Sequence, residues 1–385
     1  MAQKKSTAKV FIIILIFIIY FLTAARPVLR ETVLSHRWIR SLAVNSQSSY
    51  AQDETALSDG VVNASVLSDT LLPFTLGSRF GYVDAQGQFA VNRSKISDIY
   101  LSTYMWTEYG AEPSNIVINN ILNEKKINID NTRGYPILLD NRIFILGSEQ
   151  NSLSQVSESG FVMWTYEFGA PLTCIDAASD IVVTGSLDGA VEVFNSAGER
   201  LYYFEPGGSR YSVILGCAVS KDGSHIGVVC GVEQQRFLLF ERFGSAGGEY
   251  KVVYHEFLGN GFRRPVYILF VDDGRRVVFE RDGGVGCYTI KSRRGIFIPL
   301  DGNIVAVDGS GEQGVLFLIT SHPGQEKRLT GIQFPREGLF GFLGNTELVF
   351  LKALFKSDDV FLGRKDSTIV TGGGTSLVSF SLEER

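Results

Sequence analysis

The sequence repeats the stretch Ile143-Phe144-Ile145-Leu146-Gly147-Ser148, 38 residues further along, as Ile181-Val182-Val183-Thr184-Gly185-Ser186. The match continues beyond the glycine, where Leu153, Gly160 and Trp164 correspond to Val191, Gly198 and Tyr202. Short β-branched and aromatic runs separated by turn residues are typical of β-hairpins. The repeated unit is therefore predicted to be a strand, a turn and a strand.

Three further copies have the same order: Val228-Val229-Cys230-Gly231, Ala306-Val307-Asp308-Gly309 and Ile369-Val370-Thr371-Gly372. The 225 residues from Gly147 to Gly372 divide into five intervals of 45 or six of about 37, the length of a four-stranded unit. Residues 71–146 have room for two more units, the first with a hairpin in 79–87. Because a four-stranded sheet cannot bury both faces alone, the units must close a ring. We predict one all-β propeller of about seven four-stranded blades over residues 71–385, with six to eight blades open.

Asp-Gly pairs stand beside the apolar runs, as tight hairpins require, since glycine accepts a positive φ. They occur at 188–189, 222–223, 273–274, 282–283 and 301–302. Their spacing does not fit the repeated aspartates of a calcium loop. They are predicted to be turns.

One part of the repeat resembles a known family. Its residues are Gly160-Phe161-Val162-Met163-Trp164, Pro171-Leu172, Asp180 to Gly185, Asp188-Gly189, Val191 and Gly198. They are similar to the repeat of quinoprotein-like (PQQ-like) and WD40-like β-propellers. The resemblance implies the propeller architecture and, in the non-enzymatic branch, a role in assembling envelope or outer-membrane complexes.

The N-terminus is predicted to be a signal anchor and transmembrane helix over residues 1–25. Three lysines precede an apolar run that includes Val10, Phe11, Ile14, Ile18 and Leu22, and a cleaved signal peptide is the alternative. Residues 26–70 are predicted to be a juxtamembrane segment and a tether, with either a short helix or an irregular stretch around residues 33–42. We expect a single-pass protein with its propeller outside the cytoplasm, on the periplasmic side; a cytoplasmic domain is the alternative.

Motifs for catalysis and cofactors are sparse. The quinone-cofactor enzymes of the resembled family use calcium and, in one type, adjacent cysteines, whereas Cys174, Cys217, Cys230 and Cys287 are never neighbours in sequence. The four histidines lack zinc-site spacing, and no nucleophile elbow or phosphate loop is present. We therefore predict no cofactor, no metal and no enzymatic activity. The alternative is a carbohydrate- or polymer-acting hydrolase or lyase in the channel, with a carboxylate pair such as Asp176 and Asp308.

Residues 263–294 carry a net charge of +4 in a chain whose net charge is −5. The candidate docking residues for an acidic protein or anionic lipid are Arg263, Arg264, Arg275, Arg276, Arg293 and Arg294, which are expected to lie on one rim. The alternative is a charged edge that prevents strand pairing between molecules.

Two further expectations concern cysteines and partners. Cys217 and Cys230 flank one probable hairpin; a disulfide and two buried thiols are both open. The overall charge excludes a polybasic nucleic-acid binder. We predict a membrane-anchored scaffold that binds other envelope proteins.

Overall fold

The computed structural model describes residues 13–20, 32–42, 71–122, 125–130, 132–244, 248–259, 261–310, 314–321, 327–334, 348–355 and 359–384. Residues 13–20 are helical. Within the described ranges, no helix has the length and apolar character needed to cross a membrane. Of the predicted anchor residues, Ile14 and Ile18 lie in this helix with exposed side chains. Val10, Phe11 and Leu22 lie outside the described residues.

The other described residues form 31 strands in eight sheets, which we number as blades in chain order. Blade 1 contains β2 (Leu72–Leu76), β3 (Arg79–Val83) and β4 (Phe89–Ser94); blade 2 contains β5 (Asp98–Leu101), β6 (Met105–Tyr109), β7 (Ile116–Asn120) and β8 (Lys126–Ile129); blade 3 contains β9 (Gly134–Leu139), β10 (Arg142–Gly147), β11 (Ser152–Val156) and β12 (Val162–Glu167); blade 4 contains β13 (Leu172–Ala178), β14 (Ile181–Ser186), β15 (Val191–Asn195) and β16 (Arg200–Phe204).

The second half of the chain continues the pattern. Blade 5 contains β17 (Ile214–Val219), β18 (His225–Cys230), β19 (Gln235–Phe243) and β20 (Glu249–Gly259); blade 6 contains β21 (Ile268–Val271), β22 (Arg276–Arg281), β23 (Gly284–Thr289) and β24 (Arg294–Pro299); blade 7 contains β25 (Asn303–Val307), β26 (Val315–Ser321), β27 (Lys327–Gln333) and β28 (Leu348–Phe355); blade 8 contains β29 (Val360–Lys365), β30 (Thr368–Gly373), β31 (Ser376–Glu384) and β1 (Thr32–Ser41).

The core is divided among the junctions between blades. Eight clusters of buried apolar side chains each join two consecutive blades, and together they run round the whole ring. The cluster between blades 8 and 1 includes Val370 and Phe74, so the last junction is as apolar as the others. Because every blade packs on two neighbours, middle strands such as β14 are buried on both faces.

The first strand of the chain closes the ring by joining the last blade. β1 pairs antiparallel with β31, from Thr32 opposite Glu384 to Ser41 opposite Ser376. Trp38 of β1 also donates its indole N–H to the Ala85 carbonyl of blade 1, over 2.9 Å. Trp164 makes the same contact from blade 3 to the Ser196 carbonyl of blade 4, over 3.1 Å.

This closure corrects the predicted domain boundary. Residues 26–70 were expected to be a tether that precedes a propeller beginning at residue 71, but Thr32–Ser41 is a strand of blade 8. The prediction of a short helix around residues 33–42 is therefore wrong. Residues 43–70 lie outside the described residues.

The number of blades also differs from the prediction of about seven, because the structure has eight sheets. Blades 2 to 8 each have four strands, and blade 1 has three within the part of the chain that is described. The prediction of an all-β propeller is confirmed.

The two faces of the ring carry different connections, because consecutive strands alternate in direction. We call the face where the chain passes from one blade to the next the connection face, and the opposite one the hairpin face. In blade 6, the Leu300 N–H donates to the Gly283 carbonyl over 2.9 Å at the connection face. The Ile290 N–H donates to the Arg275 carbonyl over 3.0 Å at the hairpin face.

Candidate interaction surface

The six candidate arginines lie at opposite ends of blade 6. Arg263 and Arg264 belong to the segment between β20 and β21, at the connection face. The other four lie at the hairpin face, where Arg275 and Arg276 precede or begin β22, and Arg293 and Arg294 precede or begin β24. The structure therefore does not place all six on one rim, because the antiparallel strands of the blade separate the two groups.

Three of these arginines pair with two carboxylates of the same blade. Arg264 forms a bidentate ion pair with the buried carboxylate of Glu280, with distances of 2.7 and 3.0 Å, and this hydrogen bonding raises the pKa of Arg264. Asp272 pairs with Arg276, which is buried, and with Arg275 at 3.2 Å. These pairs lock turns and strand ends in place, so Arg264 and the buried Arg276 offer little charge to a partner, whereas Arg275 shares Asp272 with Arg276 and its side chain is 66% exposed.

The connection face around blades 4 to 6 joins three segments into one surface. They are the connection 205–213, the turn 231–234 and the connection 261–267. The Val232 N–H donates to the Tyr211 carbonyl over 3.1 Å, which links the first two segments. Gln235 Nε2 donates to the Phe262 carbonyl over 3.4 Å, which links the turn to the third segment.

This surface presents three arginines, Arg210, Arg236 and Arg263, to which the structure assigns no carboxylate partner within the described part of the chain. The Arg210 guanidinium lies 5.5 Å from the ring centroid of Tyr211. The Arg236 guanidinium lies 5.6 Å from that of Phe257. Arg263 is exposed beside the paired Arg264.

Arg210 and Arg236 were not identified from the sequence. Each is an isolated basic residue in its own segment, and only the folded ring brings these segments together. Arg263 and Arg264 are adjacent in the sequence and therefore form a recognisable run of charge, whereas Arg210 and Arg236 have no basic neighbour.

The outer surface carries exposed apolar side chains. Phe161 immediately precedes β12, and Val162 and Met163 begin it; these three residues are 74%, 47% and 57% exposed. Phe257 of β20 and Phe297 of β24 are 55% and 47% exposed. They belong to the outermost strands, which have no further strand outside them among the described residues.

The two carboxylates considered for a hydrolase lie in different blades. Asp176 of β13 accepts hydrogen bonds from the N–H groups of Ala177 and Val219, at 2.9 and 2.8 Å. Asp308 follows β25 and accepts from the N–H groups of Ser310 and Phe317, both at 2.9 Å, with Arg364 at 3.5 Å. Both carboxylates thus fix the backbone and join strands, and the structure does not show them as a convergent pair.

The four cysteines are free thiols. In the β17–β18 hairpin, Cys217 is paired with Val228 and Cys230 with Ile214, so the two thiols considered for a disulfide are offset along the strands. Burial raises the pKa of Cys230 to about 11 and that of Cys287 to about 12. Cys217, Cys230 and Cys287 are buried and act as small apolar residues of the core.

Comparison with known proteins agrees with this architecture. A family model described as a β-propeller protein matches residues 1–385, the whole chain. The chain belongs to the β-propeller family. This β-propeller protein is 29% identical to an uncharacterised protein of Treponema pallidum (strain Nichols) over 322 residues, which cover 84% of the chain and 82% of the relative.

Two solved structures show the same fold as this β-propeller protein. The computationally designed Ika8 protein gives a TM-score of 0.53 at 14% identity, covering 82% of the chain and 96% of Ika8. BamB from Moraxella catarrhalis gives a TM-score of 0.51 at 7% identity, covering 91% of the chain and all of BamB (100%). At these identities the likeness extends to the fold alone, so it does not distinguish a PQQ-like from a WD40-like propeller.

Proposed function

We propose that this β-propeller protein is a non-enzymatic scaffold that binds other proteins over its outer surface. The observation that carries the proposal is the exposure of three consecutive apolar residues of blade 3: Phe161, and Val162 and Met163, which begin its outermost strand. An apolar patch on a folded surface costs free energy in water, and such patches mark binding sites when they are contiguous.

The roles of the carboxylates further support a scaffold over a hydrolase or lyase. Catalysis of glycoside hydrolysis needs two carboxyl groups that face one substrate bond. Asp176 and Asp308 instead accept backbone hydrogen bonds within and between their blades. Loss of polysaccharide cleavage in an Asp176→Asn variant would favour the hydrolase.

The cellular location is a separate part of the proposal and rests on the sequence of residues 1–25. The lysine-led apolar segment is typical of export signals, so we place the propeller at a membrane, outside the cytoplasm. Partners would then be envelope proteins. Cell fractionation with and without residues 1–25 tests this, and an unchanged cytosolic distribution of both forms would contradict it.

Site-specific photo-cross-linking tests the scaffold itself. A photo-reactive residue at Met163 should capture a defined protein in the native cell, whereas one at Lys221, exposed on the hairpin face, should not. With the captured protein purified, Phe161→Ser with Met163→Ser should raise its Kd about tenfold or more, because both apolar contacts are lost. Equal capture at both positions, or an unchanged Kd, contradicts the proposal.

A further inference from the structure

We propose that the connection face across blades 4 to 6 is a docking site for an acidic segment of a partner protein, recognised by Arg210, Arg236 and Arg263. This inference rests on the scaffold function proposed above and gives the chemistry of one partner contact. The site lies at segments different from the apolar strand of blade 3, so the two proposals are tested by different variants.

Hydrogen bonds and close packing hold the three segments in fixed positions relative to one another. The Gly231 N–H donates to the Val213 carbonyl over 2.8 Å and the Val232 N–H to the Tyr211 carbonyl over 3.1 Å. Gly208 lies against Arg236, such that a Cβ at Gly208 would come within 3.3 Å of the guanidinium. The arginines are therefore carried by segments tied to one another, which lowers the entropy lost on binding.

The three arginines are accessible, and two of them lie against aromatic rings. Arg210 and Arg263 are exposed and Arg236 is half-buried. The rings of Tyr211 and Phe257 lie against Arg210 and Arg236, and these rings are 49% and 55% exposed. The Arg236 side chain also hydrogen-bonds the buried Cys230 thiol, which fixes its position. A guanidinium held against an aromatic ring can offer its remaining planar donors to a carboxylate.

The charges of this surface do not cancel completely. The nearby ion pairs Arg264–Glu280 and Arg281–Glu256 cancel internally. Glu205 and Glu233 are exposed on the same segments and offset two of the three arginines, which leaves a net charge of +1. The surface is thus locally positive on a chain with a net charge of −5. Complementary charge favours an acidic partner and speeds its association.

The composition favours a protein partner over a lipid surface. Stable attraction to an anionic membrane by charge alone takes clusters of about four to eight basic residues. This surface has three arginines without a carboxylate partner and two opposing glutamates, Glu205 and Glu233, and its exposed aromatic rings with arginine are the composition enriched in protein interfaces. An acidic protein segment can use both the fixed guanidinium groups and the adjacent rings.

The test uses the full chain and a fluorescent oligoglutamate peptide at low salt. The wild type should bind the peptide, and the triple variant Arg210→Gln, Arg236→Gln, Arg263→Gln should bind it about tenfold or more weakly. The matched control is Lys291→Gln, Arg293→Gln, Arg294→Gln, which removes the same charge from exposed residues of the hairpin face. This control should bind like the wild type.

Several outcomes would overturn the docking site. They are absence of peptide binding by the wild type, equal losses in the two triple variants, and binding to phosphatidylglycerol vesicles without binding to the peptide. Because Arg236 is half-buried, the double variant Arg210→Gln, Arg263→Gln provides a second test if the triple variant unfolds. If the protein captured at Met163 binds all of these variants equally, the result contradicts the docking site but not the scaffold function.

Discussion

At the scale of single residues, Asp176 shows how a carboxyl can join two blades at an energetic cost. It lies on the innermost strand of blade 4 and accepts the Val219 N–H of blade 5. Burial raises the pKa of Asp176 to about 6, against the lowering effect of its two backbone hydrogen bonds and Arg142. The ordinary value is 3.8, so the folded protein binds this proton more tightly than the unfolded chain does.

We predict that this carboxyl makes the fold less stable as the pH rises. The stabilisation is complete below about pH 4 and is lost as the pH rises through about 6, because ionised Asp176 is costly in the folded state. Its contribution to the free energy of unfolding should fall by about 2 kcal/mol between pH 4 and pH 7. Urea unfolding of the wild type and Asp176→Asn over this range measures it, and parallel pH dependences would contradict the prediction.

The sequence predicted the turn residues correctly, but it identified only Arg263 of the three arginines on the connection face. All five glycines of the Asp-Gly pairs have positive φ, as predicted, and four of the pairs lie in hairpin turns. The fifth, Asp301-Gly302, lies in the connection between blades 6 and 7. Turn geometry is a local property. By contrast, Arg210, Arg236 and Arg263 are brought to one face only by contacts between segments that are distant in sequence.

At the scale of elements, β1 is the strand whose role the sequence did not indicate. It contains Arg37 and Arg40 and follows an apolar run, so it was interpreted as a juxtamembrane stretch. In the folded strand Trp38 is buried and the adjacent Ile39 is 59% exposed, so these two side chains lie on opposite faces of the blade. The partner strand β31 lies at the other end of the chain, and no local pattern reveals a pairing over that separation.

We predict that Trp38 carries much of the closure energy. Trp38→Ala should lower the free energy of unfolding by about 3–5 kcal/mol, because it removes a buried ring and the hydrogen bond to Ala85. Ile39→Ala on the same strand is the control and should change it by less than about 0.5 kcal/mol. Denaturant unfolding compares the two, and equal effects would show that β1 does not close the ring in solution.

At the scale of the whole molecule, the predicted number of blades was one too low, because the repeat is irregular in length. The second strands of blades 3 to 8 begin at residues 142, 181, 225, 276, 315 and 368, so the interval varies from 39 to 53 residues. The Ala306-Val307 copy lies on the innermost strand of blade 7, in a different position from the other copies. The five uneven intervals connect six blades, and with blades 1 and 2 they give eight, at the upper end of the predicted range of six to eight and one more than the predicted seven.

Because β1 and β31 are paired, the chain can be joined at its ends and opened elsewhere without loss of a strand. Thr32 and Glu384 are paired residues of neighbouring antiparallel strands, so their Cα atoms lie within about 6 Å and a short turn can join them. A circular permutant with this link and new ends between Asp301 and Gly302 keeps every described strand and breaks only the exposed connection between blades 6 and 7. All junction clusters remain, because none depends on the covalent path between blades.

We therefore expect the permutant to fold with a free energy of unfolding within about 2 kcal/mol of a chain that starts at Thr32, since only loop-closure entropy changes. Near-ultraviolet circular dichroism and urea unfolding of the two chains measure this. A control permutant with new ends between Val228 and Val229, inside a buried strand of blade 5, should fail to fold. If both permutants lose the native spectrum, the pairing of β1 with β31 is not what closes the molecule, and the eight junctions do not form an unbroken ring.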